Sequence, residues 1–316
     1  MFRNAHTSGK TANIDDKIGM MMHKLMVSLL NVKKKFNADH IVLCMDKNTW
    51  RKTIYPEYKL NRVTTRLKKS LKEQDEDEQI LAAANDFFEF FRNKTGMLSV
   101  KFDGAEADDI IATNILDNPH CEHIIMSTDR DFYQLVSDNV IIYDPTMKMY
   151  ITLDGIFDEK FEPVIDNKTG NPKHMGEPEW CLFKKCIRGD SSDNIKTAYP
   201  RVREKGTKKK AGLIEAYNDR HKREYDWFTI MHHEWVDGFG GKHLVKDLYE
   251  RNQALIDLTL VPEWVQDGIR LDLLEQYKMK EQMNMAAIGF SFMRFCSKWE
   301  LYTIGERSSD YVGILS

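Results

Sequence analysis

The sequence predicts an α/β fold: a mostly parallel central sheet flanked by helices, followed by a helical region. Two observations predict it. A short continuous apolar run at 40–45 (HIVLCM) and strand-like stretches at 98–102 (LSVKF) and 122–127 (EHIIMS) alternate with segments of helical period from 14 to 142. That rhythm suits parallel strands joined by crossover helices. Each run leads into acidic residues: Asp46, then Glu106-Asp108-Asp109, then Asp129-Asp131. In open parallel sheets, sites form beyond the carboxyl ends of the strands.

Ile14, Ile18, Met22, Leu25, Leu29, Val32 and Phe36 step by threes and fours, an amphipathic helix. The 40–45 run is a strand buried on both faces, ending at Asp46; taken alone, Asp46 reads as a turn or cap residue. Residues 50–70 are basic, with Trp50, Tyr55 and Tyr58 interleaved. Basic groups neutralise phosphates and rings stack on unpaired bases, but a solvated surface helix reads equally well. The acidic run 72–78 is expected to be mobile or exposed. Helical period resumes at 79–92, where the aromatic stripe Phe87, Phe88, Phe90, Phe91 reads as core.

A strand at 98–102 and a turn at Asp103-Gly104 lead to a helix over 105–116, with Ile110, Ile111 and Leu116 inward. Carboxylates in a first helical turn are favoured by the dipole. Three acids in four residues exceed what a cap needs, and a cation relieves their repulsion. After the 122–127 strand, TDRD carries Asp129 and Asp131, and a helix starts at Phe132. Strands at 139–143 and 148–152 pair around Asp144-Pro145, and 163–176 is a loop. A helix at 177–188 precedes GDSSDN, where Asp190 and Asp193 share a face if the turn is helical. Residues 201–210 (RVREKGTKKK) are expected to open a helix ending near Tyr217, whose amides and lysines would seat a phosphate. The remainder reads as helices with Trp227, Trp235 and Trp264 packing; His232-His233 is expected at the surface.

Composition narrows the class. The chain has 316 residues and a net charge of −3, yet the charge is segregated. Residues 51–69 hold seven Lys/Arg against one Glu, and 201–210 hold six against one. Acidic clusters with separate basic patches suit a nuclease better than a uniformly basic binder. Five Cys without a CxxC pair argue for a reducing compartment and against a disulfide framework or zinc ribbon. No apolar run reaches the ~18 residues of a membrane span, and no signal peptide is visible, so a cytoplasmic protein is expected. The acids point to two divalent metals cutting a nucleic-acid backbone. Hard cations held by oxygens supply a nucleophilic water and charge relief at the phosphate.

GAEADD, STDRDFYQL and RGDSSDN, with YPEYKLNR upstream, resemble the 5′-nuclease (flap endonuclease) family, over about residues 2–265. RVREKGT and residues 252–264 resemble its T-even phage branch, whose members are called ribonuclease H. The resemblance implies a PIN-like 5′-nuclease fold with a helical arch and a helix–three-turn–helix element. It implies a catalytic region at 1–176, with the arch at about 50–78, and a helical DNA-binding region at 177–316. It implies a first metal site from Asp46, Glu106, Asp108 and Asp109, and a second from Asp129, Asp131, Asp190 and Asp193. Lys59 and Arg62 would act at the scissile phosphate. Arg51, Lys52, Tyr58, Lys59, Arg62, Arg66, Arg201, Arg203, Lys205, Lys208, Lys209 and Lys210 would bind DNA. The implied cofactor is two Mg²⁺, with Mn²⁺ as an alternative. The implied substrates are DNA and RNA–DNA hybrids with 5′ ends or flaps. A single-strand-binding protein or sliding clamp is a partner by family habit. A monomer in the cytoplasm, the host's if phage-encoded, is expected.

Two departures stand out. Family members open with a strand ending in Asp, and Met1-Phe2-Arg3-Asn4 matches only the segment after that Asp. An upstream native start is expected; an active-site-depleted junction binder is the alternative. The Gly-rich turn that can hold a monovalent cation is replaced by KTAYPRVREKGTKKK, so no such site is carried over. A PIN-like ribonuclease is a further rival, opposed by the basic 51–69 segment and by GDSSDN with its helical sequel.

Overall fold

The computed structural model describes residues 13–315; the opening Met1-Phe2-Arg3-Asn4 lies outside them. Helix α1 (Ile14–Phe36) is followed by strand β1 (Val42–Cys44), α2 (Arg51–Ile54), α3 (Leu60–Leu67), α4 (Leu71–Lys94), β2 (Leu98–Val100) and α5 (Ala107–Asp117). Strand β3 (His123–Met126) leads through a 3-10 turn at Arg130–Leu135 to β4 (Val140–Asp144), β5 (Met149–Thr152) and β6 (Gly155–Phe157). Next come α6 (Pro178–Arg188), α7 (Leu213–Asp219), α8 (Tyr225–Met231), β7 (Glu234–Val236), β8 (Lys242–Leu244) and α9 (Val245–Ile256). The chain closes with α10 (Glu263–Glu281), α11 (Met285–Lys298), α12 (Tyr302–Glu306) and α13 (Val312–Leu315). Two compact units interleave along it. The first takes residues 1–49, 65–110 and 262–316; the second takes 50–64 and 111–261.

In the first unit the periodic apolar face of α1 is buried, with Met22, Leu25, Met26 and Leu29 inward. It shares a core with Phe87 and Phe91 of α4, Phe292 and Phe295 of α11, and Ile314 and Leu315. Phe90 stacks on Phe295 at 4.3 Å between ring centroids. The 72–78 run, expected to be mobile or exposed, is the start of α4. Ser70 and Glu73 close a capping box: Glu73 N–H donates to Ser70 Oγ at 3.3 Å, and Ser70 N–H to Glu73 Oε2 at 2.8 Å. Acids in a first turn suit the dipole, and Lys17 pairs with Glu76 at 2.8 Å. Strands β1 and β2 pair in parallel, Val42 opposite Leu98 and Cys44 opposite Val100. At the turn after β2, Gly104 (φ +102°) lies under Trp264, so close that a Cβ would meet the ring at 2.8 Å. Trp264 therefore packs as expected, though it stays 56% exposed.

In the second unit the strand order is β3-β4-β5-β6. Strand β3 runs parallel to β4; β4 and β5 pair antiparallel as expected, and β6 extends them into a meander. Phe132, Leu135, Val140, Ile142 and Ile151 form the core beneath. A second core gathers Phe183, Leu213, Tyr217 and Ile230, with Trp227 and Trp235 packed on it. Leu116, expected inward, is exposed. The 201–210 stretch does not open a helix. It forms a tight turn, Thr207 N–H donating to Lys210 O at 2.8 Å, and α7 starts only after Gly212.

Candidate metal and nucleic-acid site

In the first unit Asp46 and Asp109 are set by backbone. Met45 N–H donates to Val100 O at 3.1 Å and extends the β1–β2 pairing to the residue before Asp46. Asp46 then accepts at Oδ1 from Ala107 N–H at 2.8 Å, at the N-terminal end of α5. Asp109, fully buried, accepts from Glu106 N–H at 2.9 Å, and Glu106 is itself buried. These bonds use the amides that a helix start leaves unpaired. Burial, with the charges of Asp108 and Asp46, pushes the Cys44 thiol up to about 12. The negative charge of these two carboxylates thus converges on the end of β1.

The acids of the second unit are set by main-chain amides and charged side chains together. Asp129 caps the 3-10 turn, accepting from Asp131 N–H at 3.0 Å. Asp131 and Asp190 converge on one ammonium, that of Lys185 on α6. It donates to Asp131 and stands 2.8 Å from Asp190 Oδ2. Burial raises Asp131, with Asp129 and Asp190 adding to the rise against the pull of Lys185. Burial also works against Asp190, but Lys185 and Ser192 outweigh it and hold this carboxyl below the ordinary range. Lys185 in turn is raised, because two carboxylates outweigh its burial.

Asp190 and Asp193 do not share a helical face. Residues 190–195 form a closed turn, Ile195 N–H donating to Asp190 O at 2.7 Å and Asp190 N–H to Ile195 O at 2.9 Å. Within it, Asp190 Oδ1 accepts from Ser192 N–H and Oγ, both at 2.7 Å. Asp193 faces the basic segment instead. It accepts from Tyr58 Oη at 2.9 Å and Arg62 at 2.6 Å, with Lys59 Nζ at 3.6 Å. The two cations expected at the scissile phosphate and one expected metal ligand are therefore partners here.

Two residues expected on the nucleic-acid surface are interior. Arg51 is 2% exposed and donates from Nε to Leu255 O at 2.7 Å. Tyr58 is 3% exposed, with its hydroxyl on Asp193. Trp50 is buried as well. Aromatic rings beside lysines in sequence read alike whether they face bases or a core. Lys52, Arg62, Arg66, Arg201, Arg203, Lys205, Lys208, Lys209 and Lys210 are exposed, and Arg66 pairs with Glu78 at 2.7 Å. The expected phosphate seat is filled from within. Glu215 Oε2 accepts from the amides of Gly206 and Gly212 at 2.9 and 2.8 Å. The first amides of α7, on Leu213 and Ile214, bond to the carbonyls of Arg203 and Glu204.

Among the described residues, no three His, Cys, Asp or Glu side chains stand together as a ready ligand set. The donor chemistry nevertheless fits hard divalent cations, since every candidate is a carboxylate oxygen. In the second unit a cation position exists, with Lys185 as the monovalent stand-in. Lys185 is the partner of these acids that sequence reading missed. Its only signal was a lysine on the helix leading into GDSSDN.

The family described as 5′-3′ exonuclease, N-terminal resolvase-like domain, matches residues 1–162. A 5′-3′ exonuclease of Mycoplasmopsis pulmonis is 30% identical over 185 residues, 57% of this chain and 53% of that protein. DNA polymerase I of Rhizobium leguminosarum is 30% identical over 206 residues, 63% of this chain and 17% of that protein. This chain thus spans about half of the first relative and a smaller part of the second. The zinc-bound 5′-exonuclease of bacteriophage T5 superposes with a TM-score of 0.59 at 22% identity, over 87% of this chain and 95% of that one. A complex of the bacteriophage T5 flap endonuclease with DNA and metal ions gives 0.58 at 20% identity, over 89% and 96%. At that identity the likeness is one of fold. No described helix is long and apolar enough to cross a membrane.

Proposed function

This chain belongs to the 5′-3′ exonuclease family, and from that membership we propose that it is a divalent-metal-dependent 5′→3′ exonuclease and flap endonuclease. It would hydrolyse phosphodiesters at 5′ ends, removing RNA primers or displaced 5′ strands in replication and repair. One observation carries the reading: Asp131 and Asp190, from separate segments, converge on a single cation position now held by Lys185. A chain whose acids were only helix caps would have no reason to focus two carboxylates on one point.

We assign Asp46, Glu106, Asp108 and Asp109 to one Mg²⁺ site and Asp129, Asp131, Asp190 and Asp193 to a second, with Mn²⁺ as substitute. Bound divalent ions supply a hydrolytic nucleophile near neutral pH and relieve charge on the phosphoryl oxygens. This chain's own residues then orient and bind. Asp193 aims Lys59 and Arg62, whose charges would stabilise the phosphate as negative charge grows. Lys52, Arg66, Arg201, Arg203, Lys205, Lys208, Lys209 and Lys210 would contact phosphates and set register on the duplex. Catalysis is assigned to 1–176, with the arch near 50–78, and duplex binding to 177–316, a division by role that cuts across the two packing units. A monomer acting in the cytoplasm, with a single-strand-binding protein or sliding clamp as partner, completes the reading.

The test is cleavage of a 5′-labelled flap duplex with Mg²⁺ and with excess EDTA. Metal-dependent release of short 5′ products is expected. Tight binding without cleavage would favour a catalytically impaired junction binder.

A further inference from the structure

We propose that Lys185 is a displaceable counter-ion, the cation that divalent metal must evict to occupy the second site. The inference rests on the assignment of Asp131 and Asp190 as metal ligands. Lys185 projects from α6 five residues before Asp190, and its ammonium reaches carboxylates from two segments, one after β3 and one after α6. Its side chain is 22% exposed, those of Asp131 and Asp190 26% and 14%. The three groups are thus largely withdrawn from water, where an ion pair is weakly screened.

An ammonium between two carboxylates meets the same need that a divalent ion would meet. It cancels half of their charge and satisfies one oxygen of each. A divalent ion brings twice the charge and shorter bonds, and the two cations compete for the same oxygens. The competition acts in two ways. Lys185 keeps facing carboxylates from repelling each other in the metal-free protein. It also weakens metal affinity, because part of the metal's binding free energy goes into breaking two charge-assisted hydrogen bonds. The exchange is a swap of cations, with the displaced ammonium turning out toward solvent still protonated.

Mn²⁺ binding to the whole chain, counted by electron paramagnetic resonance without DNA, tests this. Lys185→Met is expected to tighten one site at least about tenfold, while Lys185→Arg, which keeps the cation, stays within about threefold of wild type. Metal-free Lys185→Met is expected to melt earlier than wild type, with saturating Mg²⁺ closing the gap. If Asp190→Asn loses a site but Lys185→Met leaves its affinity unchanged, the counter-ion role is overturned and the ligand assignment stands. If Asp190→Asn leaves Mn²⁺ binding intact, the ligand assignment fails and this inference falls with it. Should Lys185→Met not fold, the wild-type protein answers through its lysine ammonium resonances by ¹⁵N NMR. The Lys185 signal is expected to shift and lose its protection on adding Mg²⁺; an unmoved signal at saturation overturns the proposal.

Discussion

In the first unit Asp46 and Asp109 are held by main-chain amides, those of Ala107 and Glu106. In the second, Asp131, Asp190 and Asp193 are held largely by side chains, those of Lys185, Arg62, Lys59 and Tyr58. The difference is one of permanence. An amide at a helix start is part of the backbone and cannot leave without melting that turn. A lysine or arginine reaches its partner through rotatable bonds and can swing away when a better cation or a phosphate arrives. Asp46 and Asp109 of the first unit are thus fixed by backbone, whereas Asp131, Asp190 and Asp193 of the second each have at least one lysine or arginine partner that can be exchanged.

Removing a carboxylate breaks the contrast most severely. Asp190→Ala or Asp131→Ala is expected to reduce flap cleavage by about a thousandfold or more while leaving duplex affinity nearly unchanged, since catalysis and phosphate contact use different groups. Single-turnover cleavage beside a binding assay measures both, and wild-type turnover in either variant would remove that residue from the metal set. Asp46→Asn sharpens the contrast. The amide oxygen can still accept from Ala107 N–H, so the fold should persist while cleavage drops by about a hundredfold. A matching loss of thermal stability would show the charge to be structural instead.

Asp193→Asn is expected to do both kinds of damage, lowering cleavage as a proposed metal ligand and loosening the basic segment it holds. It weakens bonds to Arg62, Lys59 and Tyr58 and should cost about 1–3 kcal/mol, read by urea unfolding and by faster amide exchange over 55–62. Lys59→Ala should slow cleavage by about tenfold to a hundredfold with a smaller effect on duplex binding; an unchanged rate would exclude it from the chemistry. The smallest effect is on pH. The Asp190 carboxyl lies below its ordinary value of 3.8 in the folded chain. The stability it contributes is therefore present above that value and lost as pH falls through the lower folded one. The melting difference between wild type and Asp190→Asn, without metal, should shrink toward zero across that acid window; a constant difference would assign it to packing.

Much of the scaffold was legible because it is local. The spacing of Ile18, Met22, Leu25 and Leu29 marks α1, and the apolar runs mark β1, β2 and β3, each leading into the acids expected there. Legibility failed where a residue's role depends on a distant partner. Arg51 reads as a phosphate contact, but it lies inside, bonded to Leu255 O two hundred residues away in sequence. The glycines around 206–212 read as a phosphate seat until Glu215 is seen to occupy their amides. The 72–78 run is largely exposed, as expected, but charge hides that it is a helix start held by Ser70 and by pairs with Lys17, Arg66 and Lys69.

By itself the sequence determined the alternation of strands and helices, the acids beyond the strand ends and the segregation of basic charge. Side-chain period and charge are properties of neighbouring residues, and they survive in the linear text. Only the tertiary structure decided which cation faces which carboxylate: Lys185 for Asp131 and Asp190, Arg62 and Lys59 for Asp193. Such pairing depends on where the chain returns in space, at distances of a few ångströms that no spacing along the sequence encodes.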